Sequence, residues 1–91
     1  MKVLWTETAI NQLQAIHNYI AQNSVVYANQ VVDRITRRSE QIAEFPNSGR
    51  TVPEFRDENI REIIERPYRI IYRIEEDEVD ILAVVHGSQV L

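Results

Sequence analysis

Apolar residues recur along the chain with two different periods, and these periods predict its secondary structure. Between residues 9 and 43 they recur every three or four positions, as on one face of an α-helix, whereas between residues 60 and 86 they alternate or run together, as in β-strands. Residues 68–74 alternate most clearly. Tyrosine and isoleucine occupy the even positions on one face, and Arg69, Ile71 and Arg73 occupy the other. The pattern therefore raises the question of what two arginines do on one side of a strand.

Two amphipathic helices are predicted ahead of the main strands. The first follows an N-cap at Thr6 or Thr8, and the second follows Ser24 and ends at Phe45-Pro46, because proline cannot continue a helix. Since so few residues separate the helices, they are expected to fold back as an antiparallel hairpin. The residues at helical spacing are Ala9, Leu13, Ile16 and Ile20 in the first helix, and Ala28, Val31, Val32, Ile35, Ser39, Ile42 and Ala43 in the second.

The remaining segments predict a short first strand and a final group of three. The first covers residues 2–5, residues 47–59 form a loop with turn residues, and the last three strands cover residues 60–66, 68–74 and 79–86. Four consecutive acidic residues, 75–78, are typical of a solvated hairpin tip. The order strand-helix-helix-strand-strand-strand predicts an α+β fold in which the helical hairpin packs on one face of a mainly antiparallel sheet. Periodicity does not fix where the first strand joins that sheet.

Composition indicates an ordinary globular protein with residues 1–91 in one domain. The apolar fraction is 44% and the charged fraction 26%, and no run of apolar residues is long enough to span a membrane. The start, MKVLWTETA, lacks the apolar core of a secretory signal, so a cytoplasmic location is expected. The chain has no cysteine and its two histidines do not have the spacing of metal ligands, so neither a metal nor another cofactor is expected.

The charge pattern favours contacts with proteins over a broad contact with nucleic acid. The net charge is −4, which is the wrong sign for a nucleic-acid footprint. Lys2 is the only lysine, and the other nine basic residues are arginines. The planar guanidinium fork suits carboxylates and phosphates, so this bias favours partner contacts or a local phosphate contact.

The order of several short motifs resembles the ParE branch of the RelE/ParE toxins of bacterial toxin–antitoxin pairs. The resemblance covers nearly the whole chain and agrees with the fold derived above. The motifs are Trp5 at the end of a strand, Ala9-x3-Leu13-x2-Ile16-x2-Tyr19-Ile20, Phe45-Pro46-x2-Gly49-Arg50-x-Val52-Pro53-Glu54, Arg61-Glu62, Tyr68-Arg69-Ile70-x-Tyr72-Arg73, and Ile81-Leu82-x-Val84-x-His86-Gly87.

The resemblance implies a toxin that acts by binding. Family members of the ParE type inhibit DNA gyrase, serve in plasmid stabilisation and are neutralised by a ParD-like antitoxin whose partly disordered tail folds onto the toxin. A hetero-oligomer with that antitoxin is expected, and contact with DNA is expected only through the antitoxin. Residues proposed to bind partners are Arg50, Arg61, Arg69, Arg73 and His86.

Two alternatives remain open at the level of the sequence. In RelE and YoeB relatives, which cleave mRNA on the ribosome, a base, an acid and a cationic group act on the phosphate, and here Glu54, His86 and Arg69 would take these parts. The other alternative is a weak toxin that acts only in its antitoxin complex. Many relatives carry an arginine soon after His-Gly, whereas this chain has Ser88-Gln89.

The two arginines of residues 68–74 also have two interpretations. If the helices cover the face of Tyr68, Arg69 and Arg73 point to the open face of the sheet. There they either pair with Glu62 or Glu65 of the neighbouring strand or meet acidic groups of a partner. The difference matters because a desolvated guanidinium–carboxylate pair with a partner contributes to specificity, whereas an exposed pair within the chain contributes little.

Overall fold

The computed structural model describes residues 1–89 and confirms the predicted order of elements, with one short strand added. Val90 and Leu91, which follow the Ser88-Gln89 pair noted above, lie outside the described residues. The elements are β1 (Lys2–Trp5), α1 (Glu7–Ala21), α2 (Val25–Glu44), a 3₁₀-helix (Pro46–Ser48), β2 (Arg50–Thr51), β3 (Ile60–Glu65), β4 (Tyr68–Ile74) and β5 (Glu78–His86).

The strands form one five-stranded sheet in the order β1-β5-β4-β3-β2. Strands β2 to β5 pair antiparallel, whereas β1 pairs parallel with β5 at one edge, a position that periodicity did not fix. At the other edge, β2 extends only over Arg50 and Thr51, within the segment predicted to be a loop. The α+β fold with a mainly antiparallel sheet is therefore confirmed.

The helices begin at the residues that their caps predict. The Thr6 side-chain oxygen accepts a hydrogen bond from the Ala9 amide at 3.2 Å, and the Ser24 hydroxyl accepts one from the Tyr27 amide at 3.0 Å. Thr6 also donates its hydroxyl proton to the carbonyl oxygen of Ile81 in β5 at 2.9 Å. This bond fixes the start of α1 against the neighbouring strand as well as capping it.

The helical hairpin covers the face of β4 that the alternation assigned to it. Ile70 and Tyr72 are fully buried there against Val31 and Ile35 of α2. The α1 stripe is only partly buried apart from Ala9, which is fully buried in the first turn of the helix. Burial of this apolar surface is the main stabilising contribution expected for a chain of this size.

The opposite face of the sheet is not open, which corrects the expectation that only the helical side is covered. Val52, from the segment after β2, packs there with Ile60, Ile71 and Val85 in a second apolar cluster. A register shift in the β4–β5 pairing leaves Leu82 without a partner residue and brings it onto the same cluster. The segment around Val52 therefore acts as a partial cover for the second face.

Adjacent carboxyl groups at the start of β5 predict a pH-dependent contribution to stability. A hydrogen bond between the Glu78 and Asp80 carboxyl groups raises the pKa of Glu78, and partial desolvation and the Asp80 charge act in the same direction. A raised carboxyl pKa favours the protonated folded state, so stability falls as the pH rises through that pKa. Glu78→Gln is therefore expected to raise the melting temperature at neutral pH and to lose this advantage in mild acid.

The measurement for Glu78 is thermal unfolding followed by circular dichroism at the two pH values. Glu58→Gln is the control, because it removes one carboxylate from an exposed loop position. An equal change in melting temperature for both variants at neutral pH would show that only net charge matters and would contradict the local repulsion.

Candidate partner-binding surface

Arg69 lies at the centre of an ion network on the second face of the sheet. Its Nε donates to Glu62 Oε1 at 2.6 Å, and its two terminal nitrogens donate to the two carboxylate oxygens of Glu54 at 3.0 Å each. Arg50 Nε donates to the other oxygen of Glu62 at 2.6 Å. The side chains of Arg69 and Glu62 are 8% and 0% exposed, so this pairing is buried and charge-assisted.

The position of Arg69 corrects the expectation that its guanidinium is free to bind another macromolecule. Hydrogen bonds to Glu54 raise the pKa of Arg69 above its usual value, burial opposes this, and Glu62 adds to the rise. The physical reason for the correction is the pairing register: Ile71 lies opposite Glu62, so Arg69 two residues away on the same face reaches the Glu62 carboxylate. The pairing within the chain, one of the two interpretations left open above, is the one found.

The three residues considered for RNA cleavage do not form one site. Arg69 and Glu54 are bonded to each other, so the guanidinium is already neutralised by carboxylates. His86 follows Val85, which packs on the second face, and therefore points to the opposite side of the strand. There its ring lies edge-on to Tyr68, with centroids 6.1 Å apart, and Nδ1 is 2.8 Å from the Ser88 hydroxyl oxygen.

The other arginines predicted to bind partners differ in their exposure. Arg73 is half-exposed and lies 4.0 Å from Glu75, so its charge is accessible. Arg61 is partly buried and donates to the Gly49 carbonyl oxygen at 2.9 Å, which supports the turn before β2. Arg50 is 66% exposed although its Nε is bonded to Glu62. Their contacts with a partner stay predictions.

An apolar groove runs between α1 and the end of the sheet on the helical side. It has a volume of about 330 Å³, and its walls include Ala15, Ile16, Tyr19, Tyr68 and Val84. We call this cavity the apolar groove. Grooves of this kind between a helix and a sheet suit an apolar side chain of a peptide or protein partner.

A second cavity, which we call the basic cleft, lies beyond the same end of the sheet. It has a volume of about 510 Å³ and is lined by Arg50, Ile64, Arg66 and Ser88, together with Tyr68 and His86, which also line the apolar groove. Sequence reasoning did not single out Arg66. The sequence feature that could have identified Arg66 is its position beside Pro67 in a tight turn between two strands, because a side chain in such a turn is exposed.

Tyrosines gather around the apolar groove. Burial raises the pKa of the Tyr68 hydroxyl, the nearby Tyr27 and Tyr19 hydroxyls add to the rise, and the Arg34 charge lowers it. Tyr19 is 74% exposed and Tyr27 is 50% exposed. Exposed tyrosine beside arginine is typical of protein-binding hot spots, so composition as well as shape indicates a surface for a protein partner.

Two helices on a mixed five-stranded sheet of this order define the RelE/ParE-like α+β fold. The family model described as "ParE toxin of type II toxin-antitoxin system, parDE" matches residues 3–91. The chain therefore belongs to the ParE toxin family, and it is the toxin component of a type II toxin–antitoxin system.

Individual relatives agree with this assignment. The chain is 38% identical over 90 residues to Y4kP of Sinorhizobium fredii, a provisionally designated toxin, covering 97% of this chain and 90% of the relative. It is 30% identical over 89 residues to toxin RelE2 of Caulobacter vibrioides, covering 97% of each chain. A solved structure titled as the chromosomal ParDE system of P. aeruginosa superposes with a TM-score of 0.78 at 25% identity, covering 94% of this chain and 95% of that one.

The described residues contain neither a candidate membrane-spanning helix nor a candidate metal site. Neither helix between residues 1 and 89 is long and apolar enough to cross a membrane. Within the same residues, histidine, aspartate and glutamate side chains do not gather in groups of three that are suited to a metal ion.

Proposed function

We propose that this toxin acts by binding, with DNA gyrase as its target, and that a ParD-like antitoxin neutralises it in the cytoplasm. The observation that carries the proposal is the burial and ion pairing of the Arg69 guanidinium. The guanidinium that a phosphate clamp requires is buried between Glu54 and Glu62, and His86 lies on the other side of the sheet. This arrangement supports a mode of action through surfaces, because the acid, base and clamp considered above are not assembled around one phosphate.

The antitoxin part of the proposal is supported by the apolar groove. Its tyrosine-rich rim and exposed large side chains offer apolar area that a partly disordered tail buries as it folds. The similar P. aeruginosa structure is titled as a ParDE system, which supports a hetero-oligomer of the same kind here. Contact with operator DNA would then be made by the antitoxin, in agreement with the net charge of −4 on the toxin.

The cationic residues outside the buried network are the proposed contacts with gyrase or the antitoxin. Arg73 and Arg50 have accessible guanidinium nitrogens, and His86 lines both cavities. Arg61 contributes by holding the turn that carries Arg50. Arg69 contributes through the fold alone.

The test is a gyrase assay with purified toxin. Supercoiling of a relaxed plasmid is expected to be inhibited and cleaved DNA–gyrase complexes are expected to accumulate, and adding the antitoxin in excess should reverse both effects. The matched assay is translation of a defined mRNA on ribosomes, followed by primer extension. Intact gyrase activity together with new mRNA ends would overturn the proposal in favour of the nuclease alternative.

A third outcome of these assays would favour the weak-toxin alternative. If the toxin binds the antitoxin but neither gyrase activity nor mRNA changes, and expression without antitoxin leaves growth normal, the gyrase proposal is wrong. The alternative with Ser88-Gln89 near the C-terminus, a weak toxin acting only in its complex, would then be favoured.

A further inference from the structure

The apolar groove and the basic cleft are separated by a single wall. Tyr68 and His86 line both cavities, face each other across the β4–β5 pairing and pack edge-on at 82° between ring planes. His86 is exposed at the top of this wall. The two cavities are therefore neighbouring parts of one continuous surface.

The apolar groove is suited to apolar contact with a ligand more than to hydrogen bonding with it. The Gln12 side-chain oxygen at its edge already accepts the Val84 amide proton at 2.8 Å. The Gln89 side-chain oxygen already accepts the His86 amide proton at 2.6 Å. With these acceptors engaged, the groove favours an aliphatic or aromatic side chain of a ligand.

The basic cleft has the opposite character. Neither aspartate nor glutamate is among its lining residues within the described chain, although the protein as a whole carries a net charge of −4. Arg66 is exposed and has no ion-pair or hydrogen-bond partner within residues 1–89. Arg50 is 66% exposed and directs its Nε to Glu62, and its terminal nitrogens have no hydrogen-bond partner within residues 1–89. The cleft is thus a local site for a carboxylate in an acidic protein.

We propose that one extended segment of the antitoxin crosses the Tyr68–His86 wall, with an apolar side chain in the apolar groove and an aspartate or glutamate in the basic cleft. This rests on the proposed function, because it takes the antitoxin as the partner. The charge supports a peptide over nucleic acid: an acidic toxin surface repels a phosphate backbone but accepts a single carboxylate at Arg66. Side chains two residues apart on an extended strand point to the same side and lie roughly 6.6 Å apart, so a segment that crosses the wall can place one in each cavity.

The test compares two substitutions with two matched controls. Arg66→Glu reverses the charge of the cleft, and its control is Arg37→Glu, an exposed position on α2 whose partner is Asp33 on the same helix. Ala15→Arg fills the apolar groove, and its control is Asn11→Arg, an exposed position on the same helix that lines neither cavity. The probe is the antitoxin encoded by the adjoining reading frame, with affinity measured by calorimetry.

Arg66→Glu and Ala15→Arg are each expected to weaken antitoxin binding roughly tenfold or more, whereas the controls stay within about threefold. The effect of Arg66→Glu should shrink at high salt, and a lysine in place of one acidic residue of the antitoxin tail should restore binding to that variant alone. Circular dichroism checks that each variant is folded.

The outcomes separate this inference from the proposed function. If the unmodified toxin binds the antitoxin and both test variants bind as tightly as their controls, the two-cavity site is wrong and the function stands. If only Ala15→Arg weakens binding, the acidic contact is wrong. If the unmodified toxin does not bind the antitoxin, both the inference and the antitoxin part of the proposed function are overturned.

Discussion

Replacing Arg69 by methionine is expected to lower the free energy of unfolding by about 3 kcal/mol. Methionine keeps much of the length of the side chain but removes the charge between Glu62 and Glu54, whose bonds to Arg69 are 2.6 and 3.0 Å long. Glu62 is fully buried, and of its bonds within the described part of the chain its carboxylate would keep the one from Arg50. An uncompensated buried charge is the reason for the large cost, and against a typical total stability of about 5–15 kcal/mol it is a substantial fraction.

The measurement is urea unfolding followed by the fluorescence of Trp5, which packs partly buried against the main apolar cluster. The matched control is Arg73→Met on the same face of β4, where the side chain is 43% exposed and lies 4.0 Å from Glu75. This control is expected to change stability by less than about 0.5 kcal/mol. Equal losses for the two variants would show that the buried network does not stabilise the fold.

A second substitution tests the mechanism of this loss. Adding Glu62→Leu to Arg69→Met removes the buried carboxylate as well as its partner, so part of the lost stability is expected to return. If the double variant loses as much free energy of unfolding as the two single variants lose in sum, the two residues are not coupled and this mechanism is contradicted. The toxicity of Arg69→Met is expected to fall with its stability, so a loss of toxicity in that variant is not evidence of contact with a target.

Replacing Gly49 by alanine is expected to cost about 2–3 kcal/mol, although the backbone there is ordinary. The φ and ψ angles of Gly49 are −76° and 155°, which any residue adopts. The space is the constraint: a Cβ would lie 2.7 Å from the Glu62 carbonyl oxygen and closer still to the Tyr72 hydroxyl oxygen. Tyr72 cannot move away freely, because its hydroxyl donates to Pro46 at 2.5 Å and accepts from the Gly49 amide at 3.1 Å.

The displacement would spread from the turn to the ion network. Gly49 precedes β2, so moving it shifts Arg50 away from Glu62 and weakens the bond that remains to that buried carboxylate. The matched control is Gly87→Ala, where the added Cβ would lie 3.2 Å from the Pro67 carbonyl oxygen. This variant is expected to stay within about 1 kcal/mol of the unmodified protein in the same urea experiment. If Gly49→Ala lowers the free energy of unfolding no more than Gly87→Ala does, the turn relaxes freely and the prediction is wrong.

The two arginine sites together explain how an acidic protein presents positive charge locally. The positive charge of Arg69 is neutralised by the Glu54 and Glu62 carboxylates of its own chain. This neutralisation allows the Arg69 side chain to be buried beneath the segment around Val52. Arg66, in the turn between β3 and β4, has no such partner within residues 1–89 and remains in solvent. The accessible charge beside the apolar groove therefore comes from Arg66 at the end of the sheet, whereas the Arg69 guanidinium on the second face is neutralised by its own chain.

Local features of the sequence determined both helices, four of the five strands and the buried face of β4. Thr6 and Ser24 supply the oxygens that cap the helices, Pro46 ends α2, and the alternation along β4 buries Tyr72 under the helices as predicted. These features act over a few residues, so their physical consequences can be derived without the rest of the chain.

Contacts between distant residues decided the rest. The parallel edge position of β1, the cover around Val52, the neutralisation of Arg69 by Glu54 and the shared wall of Tyr68 and His86 join segments far apart in sequence. An arginine on an alternating strand has the same local pattern whether a carboxylate or solvent lies above it. Which of the two it meets depends on the strand register and on the path of a loop, and only the tertiary structure fixes both.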